Sequence, residues 1–229
     1  MKVEHTPFTT NDDKHTMPAP KLYLLTSDDD ITTLCDKLTR VFDTGIVSLL
    51  QIRRQHTVHA YDLVTLYQET EILISLADKY NIPTVINENL ELACHFNAGL
   101  HLASTGSIRL ARELLGHDVF IGRSCYDDVA VFKEAKKEGA SYGTMGAMFG
   151  TISKPLTKLA SPQTLQRASQ VDLPLCLVGG ISLSNLDTLR QSIGDVSVEY
   201  LAITTDILQH STDTIGEKCR AWRDYLEHW

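Results

Sequence analysis

The sequence predicts a (β/α)8 TIM barrel, a single α/β domain, on three observations. Short apolar runs alternate with amphipathic stretches from Lys21 onward. Eight such strand–helix units fit the 229-residue chain, and about 25 residues per unit is the pace of a closed barrel. The runs are mostly apolar throughout, as in strands of a parallel sheet buried on both faces. An open doubly wound sheet is the competing arrangement. The dinucleotide fingerprint G-x-G-x-x-G is missing from the first unit, which weakens that alternative.

Residues 1–20 are polar, contain proline and lack periodicity, so they are read as a flexible leader to a barrel spanning residues 21–229. Lys21–Thr26 is the first strand, and Ser27-Asp28-Asp29-Asp30 signals a helix start. Ile31, Leu34, Cys35, Leu38, Val41 and Phe42 recur at helical spacing up to a stop at Gly45. Ile46–Ile52 is strand two, and Tyr61–Tyr80 reads as one long helix. Ile82–Ile86 is strand three, followed by a short helix over Leu90–Ala98. Gly99–Ala103 is strand four, with a helix over Ile108–Leu115 behind it. Val119–Gly122 is strand five. The helix Tyr126–Glu138 then carries acids early and lysines late, which complements its dipole. Ser141–Met148 is strand six. Ser161 followed by Pro162 is an N-cap with proline in the first turn. Leu173–Val178 and Val198–Thr204 are strands seven and eight, with helices at Leu183–Ile193 and Ile215–Leu226.

Composition narrows the function classes. The chain is 43% hydrophobic and 22% charged, as expected of a soluble globular protein, and no apolar run is long enough to span a bilayer. A net charge of −8 argues against a general nucleic-acid or membrane surface. The five cysteines are dispersed and form no C-x-x-C pair, against both a disulfide framework and a zinc site. All but Cys125 lie in apolar or amphipathic stretches and read as small buried hydrophobes. No apolar signal segment opens the chain, and a reducing cytoplasm is the expected location.

In such a barrel the chemistry gathers where the strands end. Those positions hold Gln51, Arg53 and Arg54; Asn87 and Glu88; Ser104 and Thr105; Arg123 and Ser124; Thr151, Ser153 and Lys154; Gly179 and Gly180; and Thr204 and Thr205. As a set they bind anions. Arginine offers a rigid fork to phosphate oxygens, and Gly-Gly before a helix lets backbone N–H groups approach a phosphate. The loops after strands six and seven are expected to share one phosphate-binding mouth. His101, within strand four, reads as a hydrogen-bonded barrel residue. Few acid–base candidates are present, which suits chemistry driven by stabilising a leaving group.

These motifs, in this order, make the chain resemble the thiamine phosphate synthase and thiazole tautomerase (TenI-like) family over residues 22–208. They are K-L-Y-L-L-T, Q-I-R, I-N-E-N-L-E-L-A, G-L-H-L, I-G-R-S, G-A-M-F-G-T-I-S-K and V-G-G-I. The resemblance implies a transferase of thiamine biosynthesis that joins hydroxymethylpyrimidine diphosphate to a thiazole phosphate, releasing pyrophosphate with Mg2+. Gln51, Arg53 and Asn87 would meet the pyrimidine diphosphate, and Ser124, Thr151, Ser153 and Lys154 the pyrophosphate. Arg53, Ser124 and Lys154 would be the catalytic groups. Gly179, Gly180, Ile203 and Thr204 would hold the thiazole phosphate, and Glu88 the metal. The partners implied are phosphorylated small molecules, without nucleic acid or membrane, and the reading leaves room for a homodimer.

The chain departs from the synthase pattern in three places. Gln55 stands where a lysine belongs, Glu88 where an aspartate belongs, and Ser104-Thr105-Gly106 where a second metal-binding aspartate belongs. The tautomerase branch would place a histidine where Tyr126 stands. The alternatives are therefore a thiazole tautomerase and a non-catalytic binder of thiazole or thiamine phosphate.

Overall fold

The computed structural model describes residues 18–60, 62–103, 105–150 and 158–229. Eight parallel strands close into a barrel in sequence order, β1 paired with β8. They are β1 Lys21–Leu25, β2 Val47–Ile52, β3 Thr84–Asn87, β4 Gly99–Leu102, β5 Ile121–Tyr126, β6 Tyr142–Met145, β7 Leu175–Val178 and β8 Tyr200–Ile203. The helices are α1 Ile31–Phe42, α2 Gln55–His59, α3 Leu63–Asp78, α4 Leu90–Phe96, α5 Ile108–Leu115, α6 Val129–Lys137, α7 Pro162–Ala168, α8 Leu186–Ile193, α9 Thr205–Leu208 and α10 Ile215–Glu227. A 3-10 turn over Leu183–Asn185 leads into α8. The fold class is the one the sequence predicts. Residues 1–17 of the proposed leader lie outside the described residues.

Short polar residues start the helices. Asp30, Asp62, Asn89, Ser107, Asp128 and Ser161 each accept a hydrogen bond from a first-turn backbone N–H, satisfying donors that the helix cannot. Pro162 sits in the first turn of α7, as its sequence position predicts. The one long helix expected over 61–80 is α3, started by the Asp62 cap, and the short α2 ahead of it is not foreseen from the sequence.

Strand residues alternate between two cores. Leu22, Leu24, Leu50, Ile52, Ile86, Leu100, Leu102 and Ile203 pack outward against the helices. Tyr23, Leu25, Leu49, Val85, Tyr142, Cys176 and Ala202 fill the barrel interior, joined by Phe120 and Tyr200. Residues with the same parity as Tyr23 therefore face inward along β1, and the same period of two places Gln51, Asn87, His101 and Ser124 on the interior face. β5 runs four residues beyond its expected end, so Arg123 and Ser124 are strand residues whose side chains leave on opposite faces.

The buried Arg54 carries much of the mouth's framework. Its guanidinium pairs with Glu69 of α3 through Nε (2.9 Å) and Nη2 (3.2 Å). It also donates to the carbonyls of Ser27 (2.5 Å) and Asp29 (2.6 Å) in the β1–α1 loop. Thr57 donates to the same carboxylate at 3.0 Å. By its strand-end position Arg54 is expected among the anion-binding groups. The structure corrects this: its side chain is enclosed and its donors hold protein oxygens. Replacing Glu69 by alanine leaves a buried cation without its counter-ion, so Glu69→Ala is expected to cost about 3–5 kcal/mol in urea unfolding. A loss below about 1 kcal/mol would put the pair on the footing of an exposed one.

Candidate functional site

Gln51, at the top of β2, is 3% exposed. Its Nε2 donates to Asn87 Oδ1 across the β2–β3 seam at 2.9 Å. With that bond made, Gln51 Oε1 and the Asn87 amide N–H groups have no further partner among the described residues, leaving one acceptor and one donor amide. Two residues on, Arg53 is held by its backbone: its N–H donates to Thr26 Oγ1 (2.8 Å), and the same hydroxyl donates to its carbonyl (3.1 Å). Its half-buried guanidinium makes no ion pair with another described residue.

Glu88 follows Asn87 in a left-handed conformation, φ 57°. Its N–H donates to the His101 carbonyl at 2.8 Å, and its side chain is exposed. The Mg2+ implied by the resemblance needs oxygen donors that converge. Among the described residues no group of three or more His, Cys, Asp or Glu side chains comes together. Thr105, exposed, stands in the segment where the second acid belongs. One exposed carboxylate does not fit a metal site held by the protein.

Below Gln51 and Asn87, the interior carries a line of hydrogen bonds. Tyr23 Oη lies 2.8 Å from Tyr142 Oη, Tyr142 Oη 2.9 Å from His101 Nδ1, and His101 Nε2 2.9 Å from Ser124 Oγ. Ser124 is half-buried at the upper end of this line. Burial, with the nearby Arg53 and Arg123 cations, pushes His101 from its ordinary 6.5 down to about 4. Burial and the neighbouring tyrosine raise Tyr23 well above the usual phenol range; burial does the same for Tyr142. His101 is thus a neutral, hydrogen-bonded barrel residue, as its place within the strand suggests.

The loops after β5, β6 and β7 are tied together. Gly146 N–H donates to the Tyr126 carbonyl, Met148 N–H to Val178, and Phe149 N–H to Gly179, at 3.0–3.1 Å. Gly179 and Gly180 both have positive φ, 99° and 66°. A Cβ on Gly179 would stand 2.6 Å from Ala147 Cβ, and one on Gly180 would stand 2.8 Å from the Phe149 carbonyl oxygen. Both glycines are therefore needed for the β6 loop to lie on the β7 loop. At the far end of that loop Asp127 accepts from Lys158 Nζ (2.8 Å) and Ser161 N–H (3.0 Å). These bonds hold its carboxyl near pH 2. Thr151, Ser153 and Lys154, between the two anchor points, lie outside the described residues.

Ile203 packs its side chain outward into the core, so only its backbone is open to a ligand. Thr204 precedes α9 and its hydroxyl makes no capping bond. The N–H groups of Gly180, Ile181, Thr205 and Asp206 have no acceptor among the described residues.

Arg123 and Cys94 depart from the sequence expectation. Arg123 does not face the mouth: it is buried outside the barrel wall, donating to the Ala103 carbonyl (2.8 Å) and Glu138 (3.3 Å). Cys125, the one cysteine outside an apolar context, is fully buried, and burial pushes its thiol up to about 12. Cys94, expected inside, is exposed. The link missed from sequence is Tyr23–Tyr142. Each tyrosine reads as a core aromatic, and only barrel closure brings their hydroxyls together.

A family model described as thiamine monophosphate synthase (TMP-TENI) matches residues 22–206. Among solved structures, a thiamine phosphate pyrophosphorylase from Pyrococcus furiosus superposes with a TM-score of 0.66 at 21% identity, covering 91% of this chain and 96% of that one. A 3-hexulose-6-phosphate synthase superposes with a TM-score of 0.63 at 8% identity, covering 89% and 98%. A tryptophan synthase α-subunit mutant from Pyrococcus furiosus gives 0.63 at 13% identity, covering 91% and 100%. At these identities the structural likeness speaks for the barrel alone.

Because the folded state buries His101 neutral, pH and stability are linked at this residue. Below about 6.5 the unfolded chain binds a proton that the folded one takes up only near 4. Stability relative to His101→Asn is therefore expected to fall as pH drops from about 6.5 through about 4, by roughly 3 kcal/mol in all, and to level off below. A difference that stays flat across this window would show that His101 takes up its proton without penalty.

Proposed function

The chain belongs to the thiamine monophosphate synthase family, a family of transferases, and from that premise we propose that it joins hydroxymethylpyrimidine diphosphate to a thiazole phosphate, releasing pyrophosphate. The observation that carries this reading is the Gln51–Asn87 pair. Its bond at 2.9 Å leaves one acceptor and one donor amide side by side at the mouth. An aminopyrimidine edge presents the complementary donor and acceptor. The diphosphate would then extend toward Arg53, Ser124 and the β6 loop, with Thr151, Ser153 and Lys154. The thiazole phosphate would take the free N–H groups near Gly180 and Thr204.

In the reaction, the bond between the pyrimidine methylene carbon and the diphosphate oxygen breaks, and its electron pair leaves with the oxygen. The thiazole nitrogen then donates its lone pair to that carbon. The charge that grows on the leaving group is met by the guanidinium of Arg53, the ammonium of Lys154 and the Ser124, Thr151 and Ser153 hydroxyls. These groups act by preorganised electrostatics. The local chemistry favours this over an isomerase that must carry a proton. Both nitrogens of His101 are engaged within the barrel, and the position the tautomerase branch would give to histidine is the exposed Tyr126.

Calorimetry with inorganic pyrophosphate tests the binding half. Arg53→Ala and Lys154→Ala are each expected to weaken affinity about tenfold or more, the loss of one charge-assisted contact, with little change in unfolding midpoint. Unchanged affinity in both would remove them from the anion site. Pyrophosphate release from the two substrates tests the reaction itself. No release above background, with the thiazole phosphate still bound, would leave a binding protein or an isomerase.

A further inference from the structure

Counting hydrogens along the interior line fixes its direction. Tyr23 is 1% exposed, and its hydroxyl has one hydrogen-bond partner among the described residues, Tyr142 Oη. A hydroxyl carries one hydrogen. If Tyr142 donated to Tyr23, the Tyr23 hydrogen would be buried without an acceptor, which is the costly arrangement. Tyr23 therefore donates to Tyr142. The Tyr142 hydrogen then goes to its other partner, His101 Nδ1. A neutral imidazole that accepts at Nδ1 carries its proton at Nε2, and that N–H donates to Ser124 Oγ. Ser124 receives a hydrogen bond from the barrel, and its own hydrogen has no acceptor among the described residues. With the relay behind it, that hydrogen is turned to the mouth.

We propose that Tyr23, Tyr142 and His101 are positioning residues that set Ser124 as a hydrogen-bond donor to an anion, by fixing the His101 tautomer from the barrel floor upward. The opposite polarity would have Ser124 donate inward to Nε2, presenting only lone pairs to a phosphate oxygen. Successive donors in a line polarise one another, so the relay also strengthens the terminal hydroxyl as a donor. Gly122 shows that the arrangement is built in. A Cβ there would stand 2.0 Å from Tyr142 Cζ and 2.4 Å from its Oη, so only glycine on β5 lets the phenol reach beneath His101. The binding role rests on the reading that Ser124 meets the diphosphate; the tautomer does not.

Two measurements separate these points. In the wild-type protein at neutral pH, long-range proton–nitrogen NMR of the imidazole, assigned with His101→Asn, is expected to show Nε2 protonated and Nδ1 bare. A proton on Nδ1 overturns the proposal. This reading needs no relay variant to fold. Calorimetry with inorganic pyrophosphate is then run on Ser124→Ala, Tyr142→Phe and the double variant, each checked by thermal unfolding. Ser124→Ala and Tyr142→Phe are each expected to lose about tenfold in affinity, and the double variant no more than Ser124→Ala alone. If Ser124→Ala binds weakly while Tyr142→Phe binds as the wild type, the relay does not position Ser124. If Ser124→Ala binds as the wild type, Ser124 is not an anion contact. The relay then has no role in binding, whatever its tautomer.

Discussion

Closure of the sheet is the constraint from which the rest follows. Eight parallel strands joined edge to edge leave an interior that only side chains can fill, in layers set by strand register. The lower layers here are aromatic: Tyr23 meets Tyr142 edge-on at 5.8 Å between ring centres, and Phe120 stacks on Tyr142 at 4.9 Å. The phenols bring hydroxyls into a place water does not reach, and each must find its partner within the barrel. The hydroxyls of Tyr23 and Tyr142 lead to His101, and His101 leads to Ser124 at the rim. The packing of the floor thus decides what the mouth can offer.

The mouth is framed by a second set of bonds, each between protein groups. Arg54 fastens the loop after β1 to α3, and Thr26 pins the backbone of Arg53. Asp127 grips Lys158 and Ser161, while Met148 and Phe149 pair with the β7 loop. Lys158 is largely exposed, so its ion pair contributes little stability. The contribution of Asp127 is positional: it fixes where the β6 loop returns to the barrel. An arginine next to the expected binding arginine thus serves as scaffold, and two acids, Glu69 and Asp127, hold loops at this end of the barrel.

The division between what the sequence showed and what it hid follows the same physics. Barrel class, strand order and some helix starts were legible because each depends on local signals: apolar runs, the Ser27–Asp30 and Ser161-Pro162 starts and the Gly-Gly turn; the helix expected from Tyr126 begins only at Val129. Gln51, Asn87 and Ser124 are legible in sequence only as strand-end residues, and the period of two assigns them to the inward face once the closed barrel sets the register. Arg53 and Arg54 look alike in sequence, and only the third dimension assigns one to the mouth and the other to Glu69. The apolar run of β5 stops at Gly122, so the sequence alone does not reveal on which face Arg123 lies. Carrying the strand through Tyr126 turns Arg123 outward by parity. Cys125 sits one further step along the same strand and is buried for the same reason. The Tyr23–Tyr142 contact spans 119 positions, and no pattern within either strand announces it.

Backbone strain marks the same rim. Among the described residues four that are not glycine have positive φ: Asn81, Glu88, Asn97 and Tyr126. Asn97 ends a helix and Asn81 a helix-to-strand turn, and asparagine tolerates this conformation. Glu88 and Tyr126 have no such excuse of residue type, and strain of this kind costs on the order of 1 kcal/mol or more. Glu88 directly follows Asn87, and Tyr126 comes two residues after Ser124. In each case the left-handed turn comes where the strand ends and the chain turns away, directly after the inward Asn87 on β3 and after the outward-packed Cys125 on β5. The Glu88 N–H remains bonded to the His101 carbonyl, and the Tyr126 carbonyl accepts from Gly146. These bonds hold the strained residues to the strand or loop beside them. The strain therefore sits beside the amide pair and beside the relay's terminal hydroxyl, the two groups that face each other's strands across His101.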